Sequence, residues 1–271
     1  MLLEPAKRDP FKINGVVIGI VVDNKDPEGR YRVKVKYPWV LESDKKYTDK
    51  ADEEDFRSSW CRITSMFAGS KKDGEGLRGS FFLPEVDDEV LLTFEHGDLR
   101  RPYIIGSLWN GIDKPIDDND SQSGKNTHRS IKSRSGHTFQ FVDDDGGKER
   151  IILQNLVQDG DTRKDPKQRD GHWICLDQSG DIDQIEIYDH TQEHYILIDT
   201  KNKKITIECV TGDMDILVEK TIYMKCTDLK IEASNDIKAS AGNNIEEDAG
   251  STMKLTAGSL IEEKAGKITL N

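Results

Sequence analysis

The residues best suited to chemistry are histidines and cysteines, and their spacing builds no known catalytic motif. His190 and His194 stand four apart in a strand-like region, and the H-E-x-x-H pattern of metalloproteases is absent. No C-x-x-C pair occurs among the four cysteines, which we predict to be reduced, buried thiols: Cys61, Cys175, Cys209 and Cys226. We therefore predict no catalytic residue, no metal site and no bound cofactor.

A basic strand face is the clearest candidate for binding. The run Arg30–Trp39 alternates strictly, with Tyr31, Val33, Val35 and Tyr37 on one side and Arg30, Arg32, Lys34 and Lys36 on the other. Basic grooves with aromatic residues can bind single-stranded nucleic acid. The net charge of −12, however, repels phosphate backbones, so we expect this face to meet a protein neighbour.

The elements around this strand predict a small β-barrel. Short apolar runs ended by glycine-rich turns are typical of a Greek-key barrel of the OB type, which we assign to residues 1–110. Residues 41–57 are polar and are predicted to form a long loop. The predicted strands are Gly15–Val22, Arg30–Trp39, Ser59–Thr64, Gly79–Leu83, Asp88–Glu95 and Arg101–Leu108.

The sequence in the middle of the chain predicts β-hairpins that require further strands to be stable. Residues 111–126 have the composition of a linker. Within 127–212, the segment Ile131–Val142 is predicted to pair with Glu149–Leu156, and alternating strands follow from Asp183 to Val210. Hairpins this narrow and polar do not stabilise themselves. With no amphipathic helix evident, we predict an all-β protein whose 127–212 segment is an intertwined β-hairpin neck.

The C-terminal segment, residues 213–271, contains the most specific pattern, a repeat of eight residues. From Thr227 five octads follow: TDLKIEAS, NDIKASAG, NNIEEDAG, STMKLTAG and SLIEEKAG. Fixed periodicity indicates a repeat architecture. The third position is apolar, and alanine then glycine close most octads; the residues concerned are Leu229, Ile237, Ala241, Gly242, Ile245, Ala249, Gly250, Met253, Ala257, Gly258, Ile261, Ala265 and Gly266.

Apolar residues at positions three and seven follow the two-residue period of a strand. Glycine at position eight would supply a corner, through positive φ or close backbone approach. Each octad supplies one short strand and one corner, which is only one side of a prism. Three chains would supply the three sides needed to enclose a shared axis. We therefore predict a triple-stranded β-helix in a homotrimer.

Two acidic residues interrupt the apolar fifth position of the octads. If Glu247 and Glu263 point inward, three-fold symmetry makes rings of carboxylates, which would raise their pKa values or recruit a cation or water. If the strand bends there, both side chains face solvent. The sequence leaves both interpretations open.

Composition limits the possible classes of protein. Hydrophobic residues make up 35% and charged residues 33% of the 271 residues, which suits an elongated assembly better than one compact globule. The N-terminus lacks the apolar core of a signal peptide, and no run is long enough to cross a bilayer. We expect synthesis in the cytoplasm without export by the usual signal-peptide route.

Several segments resemble the central spike proteins of contractile tails. The segments DPEGRYRVKVKYPW, SSWCRI, FFLPEVDDEVLLTFEHGDLRRPYIIGSLWNG and IKSRSGHTFQFVDDDGG occur in the order found in that family. The family includes phage baseplate assembly protein V and the VgrG proteins of type VI secretion systems. The resemblance runs from about residue 12 to the end.

The resemblance implies a homotrimeric spike at the centre of a baseplate, which punctures the target envelope when the sheath contracts. VgrG proteins carry a hub domain before the OB fold and this chain begins near that fold, so a separate tube-joining hub protein is expected at the barrel end. A PAAR-repeat tip protein is expected at the C-terminal end, because no histidine follows His194 to form the iron-binding tip of some phage spikes. Contact with the target membrane would be transient.

Two other hypotheses compete with the structural spike, which would carry no enzymatic activity. One is an OB-fold module on a trimeric stalk that binds single-stranded nucleic acid or oligosaccharide. The other is an enzyme that degrades the cell envelope, for which the chain shows no suitable extra segment. A phage tail, a bacteriocin-like tail and a secretion apparatus are equally compatible with the sequence.

Overall fold

Fourteen β-strands carry the described part of the chain. The computed structural model describes residues 12–39, 57–71, 76–117, 124–144, 146–147, 149–156, 170–180 and 182–269. The strands are β1 (Val16–Asp23), β2 (Arg32–Lys36), β3 (Cys61–Ile63), β4 (Ala68–Ser70), β5 (Leu77–Gly79), β6 (Glu89–Phe94), β7 (Pro102–Ser107), β8 (His128–Lys132), β9 (Thr138–Val142), β10 (Arg150–Gln154), β11 (Trp173–Asp177), β12 (Gln184–Tyr188), β13 (His194–Asp199) and β14 (Lys204–Cys209).

Five strands close into the N-terminal barrel in the order β1-β2-β3-β7-β6. Strand β3 runs parallel to β7, and the other neighbours are antiparallel. The interior is filled by inward-facing residues of these strands, because alternate side chains of a strand point to one side: Val21, Val33, Val35, Tyr37, Cys61, Val90, Leu92, Phe94 and Ile104. The predicted all-β class and the N-terminal OB-type barrel are confirmed.

Gly19 is required by the packing of this core. A Cβ atom placed on it would lie 2.6 Å from Cδ1 of Leu92 and 3.2 Å from the Val35 side chain. Both neighbours are fully buried. The glycine in the run GVVIGIVV is therefore a site where side chains of the two neighbouring strands, β2 and β6, pack closely against the β1 backbone.

A two-stranded arm, residues 64–71 and 76–83, is formed by β4 and β5 between barrel strands β3 and β6. The sequence predicted a strand over Gly79–Leu83, and this is wrong: the strand is Leu77–Gly79. Phe82 cannot join a ladder because its amide nitrogen and its carbonyl oxygen are both bonded by the hydroxyl of Tyr31.

Seven strands, β8 to β14, form an antiparallel meander in chain order. The segment Ile131–Val142, predicted to pair with Glu149–Leu156, is divided by a turn into β8 and β9. In that turn Gly136 has φ of +85° and donates a hydrogen bond from its nitrogen to the Ser133 carbonyl at 2.9 Å. The pairing of its second half with β10 is as expected.

The chain divides into two units, residues 1–214 and 215–271. The second unit, within its described residues, is extended chain without paired strands, and it bends at 219–220, 227, 234–235, 242–243, 250–251, 258–259 and 266. From 234–235 onward the bends lie at the glycine of each octad or its equivalent and recur every eight residues. The predicted loop 41–57 lies almost wholly outside the described residues, and the domain boundaries remain predictions.

Candidate functional site

One face of the seven-stranded sheet is a continuous apolar surface, hereafter the apolar face. Its residues lie opposite one another from strand to strand, as in the pair Ile174 and Ile187 of β11 and β12. Two parallel rows of side chains cross six strands. The first row is Phe139, Leu153, Ile174, Ile187, Ile196 and Ile207, and the second is Phe141, Ile151, Leu176, Ile185, Ile198 and Ile205.

The apolar face is open to solvent in the single chain. Eleven of its twelve residues are exposed, from 38% for Phe139 to 67% for Ile205. A contiguous apolar patch of this size on a soluble protein indicates an interaction surface. Sequence reasoning recognised the alternating strands but missed this face, although the period of two in WICLD and QIEIY is the signal that could have found it.

The opposite face of the sheet is the more buried one, although it carries polar and aromatic residues. Gln140 and Gln154 are fully buried there, and Gln154 donates to the Asp170 carbonyl at 3.1 Å. The ring of Trp173 stacks on Tyr188 with centroids 4.8 Å apart, and Tyr188 stacks on Tyr195 at 4.6 Å. Aromatic cross-strand pairs of this kind stabilise β12 between its neighbours.

His194 holds the chain where it leaves the sheet. Its Nδ1 lies 3.1 Å from the Asp189 carboxylate, and its Nε2 lies 2.6 Å from the carbonyl oxygen of Thr211. Both nitrogens therefore face acceptors, which requires an imidazolium that donates twice. The bond to Thr211 and the Asp189 carboxylate raise the pKa of His194 above its ordinary value. The hydroxyl of Thr211 donates to Glu193 at 2.7 Å and completes the contact.

The other candidate groups are dispersed. His190 contacts His172, with ring centroids 5.1 Å apart, rather than His194. In the ranges that the structure describes, no three His, Cys, Asp or Glu residues lie together as a metal site would require. The prediction of four buried thiols is wrong: Cys61 and Cys175 are buried, but Cys209 is half-buried and Cys226 is exposed. Burial raises the pKa of Cys61 to about 11.

The octad residues form no core within one chain. Leu229, Ile237, Ile245, Met253 and Ile261, the third positions, are 50–65% exposed. Of the two reasons expected for glycine at the corners, positive φ does not occur at Gly242, Gly250, Gly258 or Gly266. Among the described residues, an added Cβ would meet no atom within 4 Å at any of them. Close approach by another backbone stays a prediction. Ala241, Ala249, Ala257, Ala265, Glu247 and Glu263 are exposed as well.

The barrel matches a known family. The model of the "Type VI secretion system/phage-baseplate injector OB domain" matches residues 17–109, which span the five barrel strands and the arm. Residues 17–109 are therefore similar to injector OB domains. The match covers both the closed core and the basic strand β2.

Similarity to spike proteins extends beyond the injector OB domain. The chain is 28% identical over 182 residues to the type VI secretion system spike protein VgrG1c of Pseudomonas aeruginosa, covering 63% of this chain and 22% of that protein. It is 24% identical over 229 residues to the actin cross-linking toxin VgrG1 of Vibrio cholerae, covering 81% and 17%. The chain thus spans about a fifth of the length of these relatives. The predicted resemblance to VgrG-type spike proteins is confirmed.

Among the residues with described structure, no helix has the length and apolar character needed to cross a bilayer.

Proposed function

We propose that this chain is a structural, non-enzymatic subunit of the central spike of a contractile injection machine, either a phage tail or a type VI secretion apparatus. In this proposal three copies associate through the apolar face and the octad repeats, and the assembled spike punctures the target envelope when the sheath contracts. The observation that carries the proposal is the apolar face, where eleven of the twelve side chains are exposed in the described part of one chain.

The apolar face supports association with identical chains. Burying an aliphatic side chain completely contributes about 1.5–3 kcal/mol, and these side chains are already partly covered by their neighbours. Covering the remainder contributes about 1 kcal/mol for each residue. Twelve such residues supply a large driving force, and three sheets with these faces turned inward would form a prism with a dry interior.

The octad unit supports the same arrangement. The chain bends once in eight residues and leaves an apolar side chain in each segment without an intrachain partner. Isolated extended chain leaves its backbone donors and acceptors to water, whereas three wound chains would pair them. Such a layered structure resists bending because backbone hydrogen bonds tie each layer to the next.

The resemblance to VgrG-type spikes supports the proposed partners and location. We place the assembly in a phage tail or contractile injection particle, with a tube-joining hub protein at the barrel end and a PAAR-repeat tip protein at the other. The relatives whose printed names call them spike proteins support a mechanical role.

The experiment that tests the proposal is a measurement of solution mass. We expect light scattering to give about 92 kDa, three times the 30.7 kDa of the chain, at low micromolar concentration. The species should also resist detergent and heat well above the range of ordinary domains. A mass near one chain at all concentrations would refute the proposal.

A further inference from the structure

A patch of cations and aromatic rings covers the outer surface of the barrel on β2, β3 and β7. Arg32 lies directly opposite Arg62 across the β2–β3 pair, and Arg62 lies beside Tyr103 of β7. Lys34 and Trp60 complete this patch, which we call the basic face.

Arg32 is neutralised inside the chain. Its guanidinium binds the Asp26 carboxylate through two bonds, Nε to Oδ2 at 2.8 Å and Nη2 to Oδ1 at 2.7 Å, and it reaches Glu28 at 2.9 Å. The Asp26 side chain is only 5% exposed. This bidentate arrangement removes Arg32 from further binding and leaves the other two cations of the face.

Lys34 and Arg62 have aromatic rather than acidic neighbours. The Lys34 ammonium lies 4.8 Å from the centroid of Trp60, and the Arg62 guanidinium lies 5.6 Å from that of Tyr103. Across the described ranges, neither cation forms an ion pair with a carboxylate. The chain has 51 acidic residues against 39 basic ones, so carboxylates that could pair with Lys34 and Arg62 are abundant in its sequence.

The rings cannot act as a free stacking platform for bases. Sequence-tolerant binding of single strands needs aromatic faces that are open to nucleobases. On Trp60, Arg32 and Lys34 both lie over the ring, and on Tyr103 the position is taken by Arg62. A base would have to displace a cation from each of these faces. Carboxylates need no such displacement, because they bind the outward N–H groups of the same cations.

We propose that the basic face docks a carboxylate-rich segment of another protein, with Lys34 and Arg62 as the binding cations and Trp60 and Tyr103 as the rings that orient them. The cation–ring contacts hold the two long side chains in place before the partner arrives, which lowers the entropy lost on binding. This docking does not depend on the oligomeric state of the chain.

The test uses the full chain and a fluorescent (Glu)12 peptide, with binding followed by anisotropy at low salt. The neutral double variant Lys34→Gln/Arg62→Gln should weaken binding about tenfold, since each of the two cations contributes modestly. The matched control is Lys71→Gln/Arg78→Gln, which removes two cations from the exposed arm of the same barrel. The control should change the affinity less than about twofold.

Further measurements distinguish between a carboxylate-rich peptide and a nucleic acid as the ligand. Arg62→Lys keeps the charge and should retain most of the binding, and circular dichroism should be the same for every variant. A (dT)12 oligonucleotide of similar charge should bind more weakly than the peptide. The proposal is overturned if the oligonucleotide binds more tightly, if the peptide does not bind, or if the control variant loses as much affinity as the double variant.

Discussion

The hydroxyl oxygen of Tyr31 lies 2.7 Å from the carbonyl oxygen of Phe82 and 3.0 Å from its amide nitrogen. One side chain thus satisfies both backbone groups of a residue 51 positions away. Tyr31 adopts a left-handed conformation, with φ of 59°, to reach this position, and its ring also packs on Phe81 at 4.9 Å. The base of the exposed arm is therefore fastened to the β1–β2 hairpin.

Removing this hydroxyl should loosen the arm without unfolding the barrel. Tyr31→Phe keeps the ring contact with Phe81 but loses both hydrogen bonds, which are partly exposed and together contribute about 1 kcal/mol. We expect chymotrypsin to cleave after Phe81 or Phe82 several-fold faster. Tyr223→Phe, at a residue 79% exposed, should leave the cleavage rate unchanged. Equal rates for the two variants would show that the fastening has no effect.

The close packing at Gly19 gives a stability prediction. Gly19→Ala should lower the free energy of unfolding of the barrel by about 1–3 kcal/mol, because the new Cβ overlaps the side chain of Leu92. Gly106→Ala is the matched control, since no atom lies within 4 Å of its Cβ position. In urea denaturation, adding Leu92→Ala to Gly19→Ala should cost less than the sum of the two single changes. Strict additivity would contradict the assigned contact.

A charge at the centre of the apolar face should block assembly. Ile187→Asp places a carboxylate among Ile174 and Ile196, where burial against other chains would desolvate it. We expect the mass from light scattering to fall to that of one chain while the far-ultraviolet circular dichroism stays β-rich. Lys204→Asp, on the other face of edge strand β14, should leave the mass unchanged. Assembly that survives Ile187→Asp would show that this face is not the interface.

The contact between His194 and Asp189 predicts a dependence on pH. The folded-state pKa of His194 is raised, so its contribution to stability is complete below the ordinary value of 6.5 and is lost as the pH rises through the raised value. Hydrogen bonds from Thr191 and then His194 hold the pKa of Asp189 well below its usual range, so this carboxylate stays charged in mild acid. The nearby Glu193 carboxylate also raises the pKa of His194, because its negative charge favours the imidazolium.

The measurement is an NMR titration of the histidine ring protons. The signal of His194 should titrate above the ordinary histidine value of 6.5, and His194→Gln should abolish the loss of thermal stability between neutral and mildly alkaline pH. A midpoint for His194 at or below 6.5 would disprove the double-donor assignment.

The octad period can be tested by deletion. Removing residues 243–250 takes out one whole octad and keeps every later apolar residue in phase, so the detergent-resistant trimer band should persist. Removing Asn243 alone moves all later side chains to the other side of the strand. We expect that variant to lose detergent resistance. If both deletion variants keep or both lose detergent resistance, the phase of the apolar residues does not determine the stability of the assembled segment.

Local patterns predicted the barrel well, because its strands alternate and its turns are rich in glycine. Val33, Val35 and Tyr37 are buried as the strand period requires. The arm could not be predicted, because the hydroxyl that satisfies Phe82 comes from Tyr31, far away in sequence. The turn between β8 and β9 is indicated by Gly136 and His137, even though apolar residues continue on both sides of it.

The apolar face shows a different limit of sequence reasoning. The alternation in QIEIY and WICLD predicts a two-sided sheet, but not which side one chain leaves uncovered. Polar Gln140, Gln154 and Glu186 are on the buried side, opposite to what the usual distribution of residues predicts. The period of the octads, in contrast, is visible in the sequence itself. The chain bends at the eighth position of each octad, as that period predicts.

The two exposed rows of isoleucine, leucine and phenylalanine also bear on biogenesis. A newly synthesised chain exposes this apolar surface before the proposed association with other copies covers it. The same surface can bind unrelated unfolded chains. The yield of native material on refolding should therefore pass through an optimum in concentration, limited by encounter when dilute and by aggregation when crowded. Producing all copies from one message in close succession would favour productive encounters.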